Sequence, residues 1–268
     1  MGWFSRKRNI AGIPDNRLVI RAMTLSDTGC VRQNNEDRAG FTFVAGSKTD
    51  FIAVLADGMG GYERGEVASE MMVNAVCSES DKILKIKPLK WLKNTIRLAN
   101  TQIYDMARRS RIVMGTTCTV LLVRKKRLYC GHIGDSRLYL LKNNELHRIT
   151  TDHTMVGEML RKQKITEAEA ARHQQRNVLT KAIGTKQAVQ PDVFSIKQKV
   201  KAGSRFMLCS DGVYDMLSDE EIKSGLLKAS IRECVQSLIS NARERGGYDN
   251  LTVTVVEIND KQKLKFDE

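Results

Sequence analysis

Residues 116–149, TTCTVLLVRKKRLYCGHIGDSRLYLLKNNELHRI, decide the architecture. Four apolar runs, Thr116–Val123, Arg127–Ile133, Arg137–Leu141 and Glu145–Ile149, have strand length and strand composition. Arg124-Lys125-Lys126 and Lys142-Asn143-Asn144 separate them in pairs. Such short polar links suit antiparallel hairpins, so the spacing predicts a meander. Parallel strands would need a crossover of a dozen residues or more at each step.

Outward from the meander, blocks of strand alternate with blocks of helix. Residues 18–24, 39–45 and 50–56 read as strands, and Glu66 to about Ser80 reads as a helix. Pro88 suits a first helical turn. After it Leu89, Leu92, Ile96, Ala99, Ile103 and Met106 recur at helical spacing. Beyond the meander, residues 154–188 are polar and helix-prone, with a capping box at Thr166-Glu167-Ala168-Glu169. Strands are expected at 192–198, 205–210 and 251–258. Helices are expected after Ser218-Asp219-Glu220-Glu221 and over 231–243. Hairpin strands interrupted by paired helices define an α+β fold. Two antiparallel sheets, packed as a sandwich and flanked by helix layers, accommodate it.

Composition narrows the class. The chain has 268 residues, 41% hydrophobic and 28% charged, as in an ordinary soluble globular protein. With only three prolines and no low-complexity stretch, one domain over 18–258 is expected, with a polar tail at 259–268. No apolar run approaches the roughly 18 to 20 residues that span a bilayer. Residues 1–17 begin Met1-Gly2-Trp3-Phe4-Ser5-Arg6-Lys7-Arg8. They are basic without an apolar core, so they read as a mobile segment and not a secretory signal. Gly2 and Ser5 miss the usual myristoylation spacing. Six scattered cysteines with no C-x-x-C pair fit reduced thiols in the cytoplasm, and Cys209 reads as a buried strand thiol. The net charge of +13 collects partly at residues 82–111. That stretch lacks an aromatic-basic motif, so it reads as a solvated face without specific nucleic-acid binding.

Acidic groups punctuate this framework: Asn35-Glu36-Asp37, Asp57-Gly58-Met59-Gly60-Gly61, Gly134-Asp135-Ser136-Arg137, Ser210-Asp211-Gly212 and Asp249-Asn250. Most stand where a short apolar run ends or beside a glycine. Carboxylates gathered from several strand ends repel one another unless a cation neutralises them. Their convergence would call for hard divalent ions such as Mg2+ or Mn2+.

These segments resemble the metal-dependent Ser/Thr protein phosphatases of type 2C (PPM), in their bacterial branch. The matching stretches are Thr24–Asp37, Ala56–Ser69, Gly115–Thr117, His132–Arg137, Thr151–Thr154, Arg176–Gly184, Leu208–Gly212 and Gly247–Thr252. They occur in the family's order across nearly all of 18–258. The resemblance implies two Mn2+ or Mg2+ ions and a third, weaker one. Asp37 and Asp57 would be core ligands, with Asp57 bridging both ions. The Gly58 carbonyl would bind one ion, while Asp211 and Asp249 complete the other's shell. Glu36 would act through a water, Asp135 with Asp211 would hold the third ion, and Arg32 would bind the phosphate. A flap near 154–188 would lie by the active site.

The implied reaction is hydrolysis of phosphoserine and phosphothreonine by a metal-bridging water or hydroxide, with no phosphoenzyme. An arginine fork would hold the remaining phosphoryl oxygens. Eukaryotic relatives place a histidine directly after the Asp-Gly, where this chain has Met59. The general acid is then a metal-bound water or His153. His132, inside a strand, reads as core. The expected partners are phosphorylated proteins and a cognate Ser/Thr kinase, for a monomer. Three other readings are a phosphoprotein-binding module without activity, a basic nucleic-acid binder and a hydrolase of small phosphoesters. The first would require lost ligands, yet every acidic position is filled.

Overall fold

A computed structural model describes residues 11–12, 18–47, 50–60, 64–198 and 200–260. Most of the expected basic segment 1–17, Gly61, and residues 261–268 of the expected tail lie outside the described residues. The chain runs β1 (Ala11–Gly12), β2 (Leu18–Asp27), β3 (Asp37–Phe43), β4 (Phe51–Met59), α1 (Gly65–Ser78) and α2 (Pro88–Ser110). It continues through β5 (Gly115–Thr116), β6 (Cys118–Arg124), β7 (Arg127–Ile133), β8 (Arg137–Lys142), β9 (Glu145–Arg148), α3 (Met155–Arg161) and α4 (Glu167–Ala171). The last elements are β10 (Asp192–Ile196), β11 (Ser204–Cys209), α5 (Asp211–Tyr214), α6 (Asp219–Leu226), α7 (Ile231–Glu244) and β12 (Leu251–Asp260).

Two antiparallel sheets form, in the orders β1-β2-β12-β11-β8-β9 and β10-β7-β6-β4-β3, with β5 added to the end of β4. Side-chain alternation stacks the layers. On β4, Phe51, Ala53 and Leu55 join Phe206, Leu208 and Val256 in the core between the sheets. Ile52, Val54 and Ala56 face the other way, onto Met72 of α1 and Leu92 and Ile96 of α2. The first sheet does the same with Met207, Val253 and Val255, which pack against Leu238 of α7. The result is helix, sheet, sheet, helix, as the residues imply.

The meander breaks in the middle. β6 and β7 pair in one sheet, whereas β8 and β9 belong to the other. The chain crosses between sheets at Gly134-Asp135-Ser136. Gly134 has φ +102°, and a Cβ there would sit 2.6 Å from the Thr117 side chain, so the crossing requires glycine. Ser136 closes it. Its Oγ lies 2.6 Å from Thr117 Oγ1, and its carbonyl accepts from Thr119 Oγ1 at 2.9 Å. The helix-prone stretch 154–188 also falls short of expectation: only α3 and the capped α4 are α-helical there.

Candidate metal centre

The acidic positions meet at one end of the sandwich because the strands deliver them there. Asp37 opens β3 and lies directly opposite Asp57 on β4. Asp57 is held at both backbone groups: its N–H donates to Thr117 Oγ1 at 2.9 Å, and its carbonyl accepts from Thr117 N at 2.8 Å. β11 ends at Cys209, Ser210 follows, and Asp211 begins α5. Ser210 Oγ donates to Asp37 Oδ2 at 2.6 Å and so ties the two sheets together at the site.

Asn250 completes the frame. Its side-chain amide donates to the carbonyls of Thr28 and Asn34 at 3.0 and 2.9 Å, its Oδ1 accepts from Glu36 N at 2.8 Å, and its own N–H donates to Asp249 Oδ1 at 2.8 Å. One residue thereby fixes the loop bearing Arg32 and Glu36 against Asp249.

The electrostatics are those of a crowded anion. Asp37 is 3% exposed, and burial raises its pKa to about 6 despite hydrogen bonds from Ser210 and Thr252. Burial, followed by Asp249, pushes Asp211 to about 7. Burial, then Asp37, Asp211, Asp135 and Asp249, carries Asp57 well above the carboxylate range. Asp135 is raised by burial and then by Asp211. Asp57 lies within hydrogen-bond reach of both Asp37 and Asp211. The strongest charged influences on Asp57 are all carboxylates.

Such a set fits hard divalent cations: the donors are all oxygen, and a cation would relieve their repulsion. Among the described residues no three His, Cys, Asp or Glu side chains already form a closed ligand cage. Gly58 adds close backbone. It donates to the Glu36 carbonyl at 3.1 Å, and a Cβ on it would lie 2.6 Å from that oxygen. Glu36, raised by burial and then by Glu66, accepts the Gly65 N–H at the start of α1. It serves a helix end whose own N-cap, Arg64, makes no side-chain cap.

Arg32 sits at the rim, 55% exposed, and donates to Asp249 Oδ2 at 2.7 Å. His153 stands apart from the carboxylates. It is 1% exposed, accepts the Gly134 N–H on Nδ1 at 3.1 Å, and lies 3.1 Å from Asp192 Oδ2 through Nε2. An Nδ1 that accepts from a backbone amide carries no proton, so the ring is the Nε2–H tautomer. Burial lowers its pKa. This histidine braces the crossing that carries Asp135, an arrangement that does not support a general-acid role. His132 is core as expected, pushed by burial down to about 3. Cys209 is a buried thiol pushed by burial up to about 12.

Sequence reasoning missed the supporting roles of four residues, Asp152, Arg137, Tyr214 and Asp215. Asp152 receives the Arg137 guanidinium on both oxygens, at 3.2 Å from Nε and 2.7 Å from Nη2. Arg137 also lies 3.4 Å over the ring of Tyr214, one helical turn past Asp211 on α5. The metal-ligand candidates Asp135 and Asp211 are therefore braced through one guanidinium. Asp215 contacts Arg176 at 3.6 Å and Asn177 at 3.5 Å. Those contacts place part of the 154–188 stretch beside α5. An open recess of about 650 Å3 around Glu169, Arg172 and Gln175 is lined by none of the carboxylates.

A sandwich of two antiparallel sheets between helices, with clustered aspartates at one end, is the arrangement of the PPM phosphatases. Residues 31–253 match the family model for protein phosphatase 2C, and the chain belongs to that family. A serine/threonine phosphatase, stp, from Listeria welshimeri is 35% identical, with 89% of this chain and 96% of the relative covered. The Mycobacterium tuberculosis phosphatase PstP is 38% identical over 91% of this chain, which spans 46% of that longer protein. The crystal structure of the PstP catalytic domain in complex with two manganese ions superposes with a TM-score of 0.79 at 37% identity, covering 91% of this chain and all of the other.

Proposed function

We propose the following division of labour for the metal-dependent hydrolysis of phosphoserine and phosphothreonine in proteins, the activity that family membership gives this chain. Asp37, Asp57, Asp211 and Asp249, with the Gly58 carbonyl, hold two Mn2+ or Mg2+ ions, Asp57 being shared. Glu36 acts through a water, and Asp135 with Asp211 holds a third, weaker ion. When bound, the ions supply a water activated for in-line attack and neutralise the phosphoryl oxygens. Arg32 is the exposed guanidinium at the rim. It exchanges its carboxylate partner, Asp249, for the phosphate and holds the ester in line.

One observation carries this reading. Burial first, and neighbouring carboxylates after it, raise the pKa of Asp37, Asp57, Asp135 and Asp211 at one end of the sandwich. His153 is held by the Gly134 N–H on one side and Asp192 on the other, so it braces the crossing, and water protonates the leaving oxygen. The wider reading is a cytoplasmic monomer that opposes a Ser/Thr kinase, with residues 154–188 as a flap. Its support is six free thiols and the contacts of Arg176 and Asn177 with Asp215.

Calorimetric titration with Mn2+ tests the assignments. Asp57→Asn should lose both tight sites, and Asp135→Asn should keep them. Two tight sites in Asp57→Asn would overturn the shared-ligand role.

A further inference from the structure

The end of the sandwich opposite the carboxylates has its own chemistry. β3 runs away from Asp37 to Phe43, β4 returns from Phe51, and Phe51 pairs with Val123 of β6. The β6–β7 turn, Lys125-Lys126, therefore lies at this far pole. Arg124 stitches the approach to α2 onto it, donating from Nη1 to the Ile86 carbonyl at 2.8 Å and from Nη2 to that of Leu84 at 3.3 Å. Lys82, Lys85, Lys87, Lys90, Lys125, Lys126 and Arg127 are all exposed there. Glu79 pairs with Lys82, and the buried Asp50 faces Arg124. Lys85, Lys87, Lys90, Lys125 and Lys126 have no ion pair among the described residues. Leu84 and Leu89 stand among these lysines, 46% and 36% exposed.

Three of these lysine positions go against local structure. Lys125 and Lys126 both have positive φ, +47° and +63°, in a two-residue hairpin that favours asparagine and glycine. The β8–β9 turn of the same chain obeys the rule with Asn143 and Asn144, at +50° and +64°. Lys87 is the N-cap of α2, which has no acidic residue in its first turn. By contrast α3, α4, α6 and α7 are capped by Thr154, Thr166, Ser218 and Ser230 through their side chains. Cations at a helix N-terminus oppose its dipole. The lysines at this pole occupy positions where turn and cap favour other residues.

We propose that this pole docks on an anionic lipid surface. Lysines as compact point charges, with leucines between them, fit a headgroup layer; an arginine fork would fit discrete phosphates better. Docking there leaves the carboxylate end facing away from the membrane and open to phosphoproteins.

Sedimentation of the full chain with vesicles tests this, comparing phosphatidylcholine alone with phosphatidylcholine containing about one-third phosphatidylglycerol. Each lysine near such a surface multiplies partition roughly fivefold. Lys85→Gln, Lys87→Ser, Lys125→Asn and Lys126→Gly combined should weaken binding several hundredfold. The replacements restore preferred turn and cap residues, so the thermal midpoint should hold or rise, and hydrolysis of a soluble phosphopeptide should be unchanged. Removing three positive charges at the other end of α2 (Arg108→Gln, Arg109→Gln and Arg111→Gln) should cost far less than removing three lysines at the pole, less than about tenfold in all. Equal binding to both vesicle types, or an unaffected quadruple variant, would overturn the proposal. So would binding to RNA or to an acidic polypeptide without binding to vesicles.

Discussion

Stripping the metal from this protein should make its stability fall as pH rises. Each pH unit by which a carboxyl's titration is displaced corresponds to about 1.4 kcal/mol. Asp37 moves from 3.8 to about 6 on folding. Its fold-stabilising contribution is complete below pH ~4, where both states are protonated, and is lost as pH rises through about 6. The loss from Asp37 alone is about 3 kcal/mol, or roughly 5 to 10 °C in the thermal midpoint. Asp211, raised to about 7, extends the window upward. Part of its side chain reaches solvent, so it adds less than its displacement implies. The assay is thermal unfolding of metal-stripped protein from pH 4 to pH 8, beside Asp37→Asn and beside wild type with Mn2+. The midpoint of the wild type should fall, that of Asp37→Asn should fall less, and Mn2+ should stabilise most at pH 8. A stripped wild type whose midpoint is flat or rises, or an Asp37→Asn that falls as steeply, would refute the reasoning.

Two further substitutions separate bracing from chemistry. His153→Gln should unsettle the Gly134 crossing yet keep kcat within about tenfold with an unchanged alkaline limb; a loss of 10²–10⁴ would restore the histidine as general acid. Arg137→Met should destabilise by about 3 kcal/mol in urea unfolding, because it leaves the buried Asp152 with only the longer, 3.7 Å contact from Arg148. Adding Asp152→Leu should recover most of that, and strictly additive losses would show that the pair is not coupled.

The legibility of the chain follows from distance along it. Asp37, Asp57 and Asp211 each stand at a strand boundary beside a recognisable run, so their convergence could be anticipated. The split of the meander could not. Strands on both sides of Gly134 are buried on both faces, Val120 and Leu121 as much as Leu138 and Tyr139, so alternation does not say which sheet they join. The clue was Gly134 itself, beside Asp135 and Ser136. Asn250 binds carbonyls 222 and 216 residues away, and Asp215 meets Asn177, 38 positions earlier. Neither leaves a local pattern. The burial of His153 and its bonds to Gly134 and Asp192 likewise leave no mark in the sequence around it.

The most direct test is phosphate release from a phosphothreonine peptide, with Mn2+ and with EDTA, for wild type and Asp211→Asn. The account predicts turnover that requires Mn2+ and is abolished by the substitution in a protein that stays folded. Turnover that persists in EDTA, or an Asp211→Asn enzyme as active as wild type, would contradict a metal centre built on these aspartates.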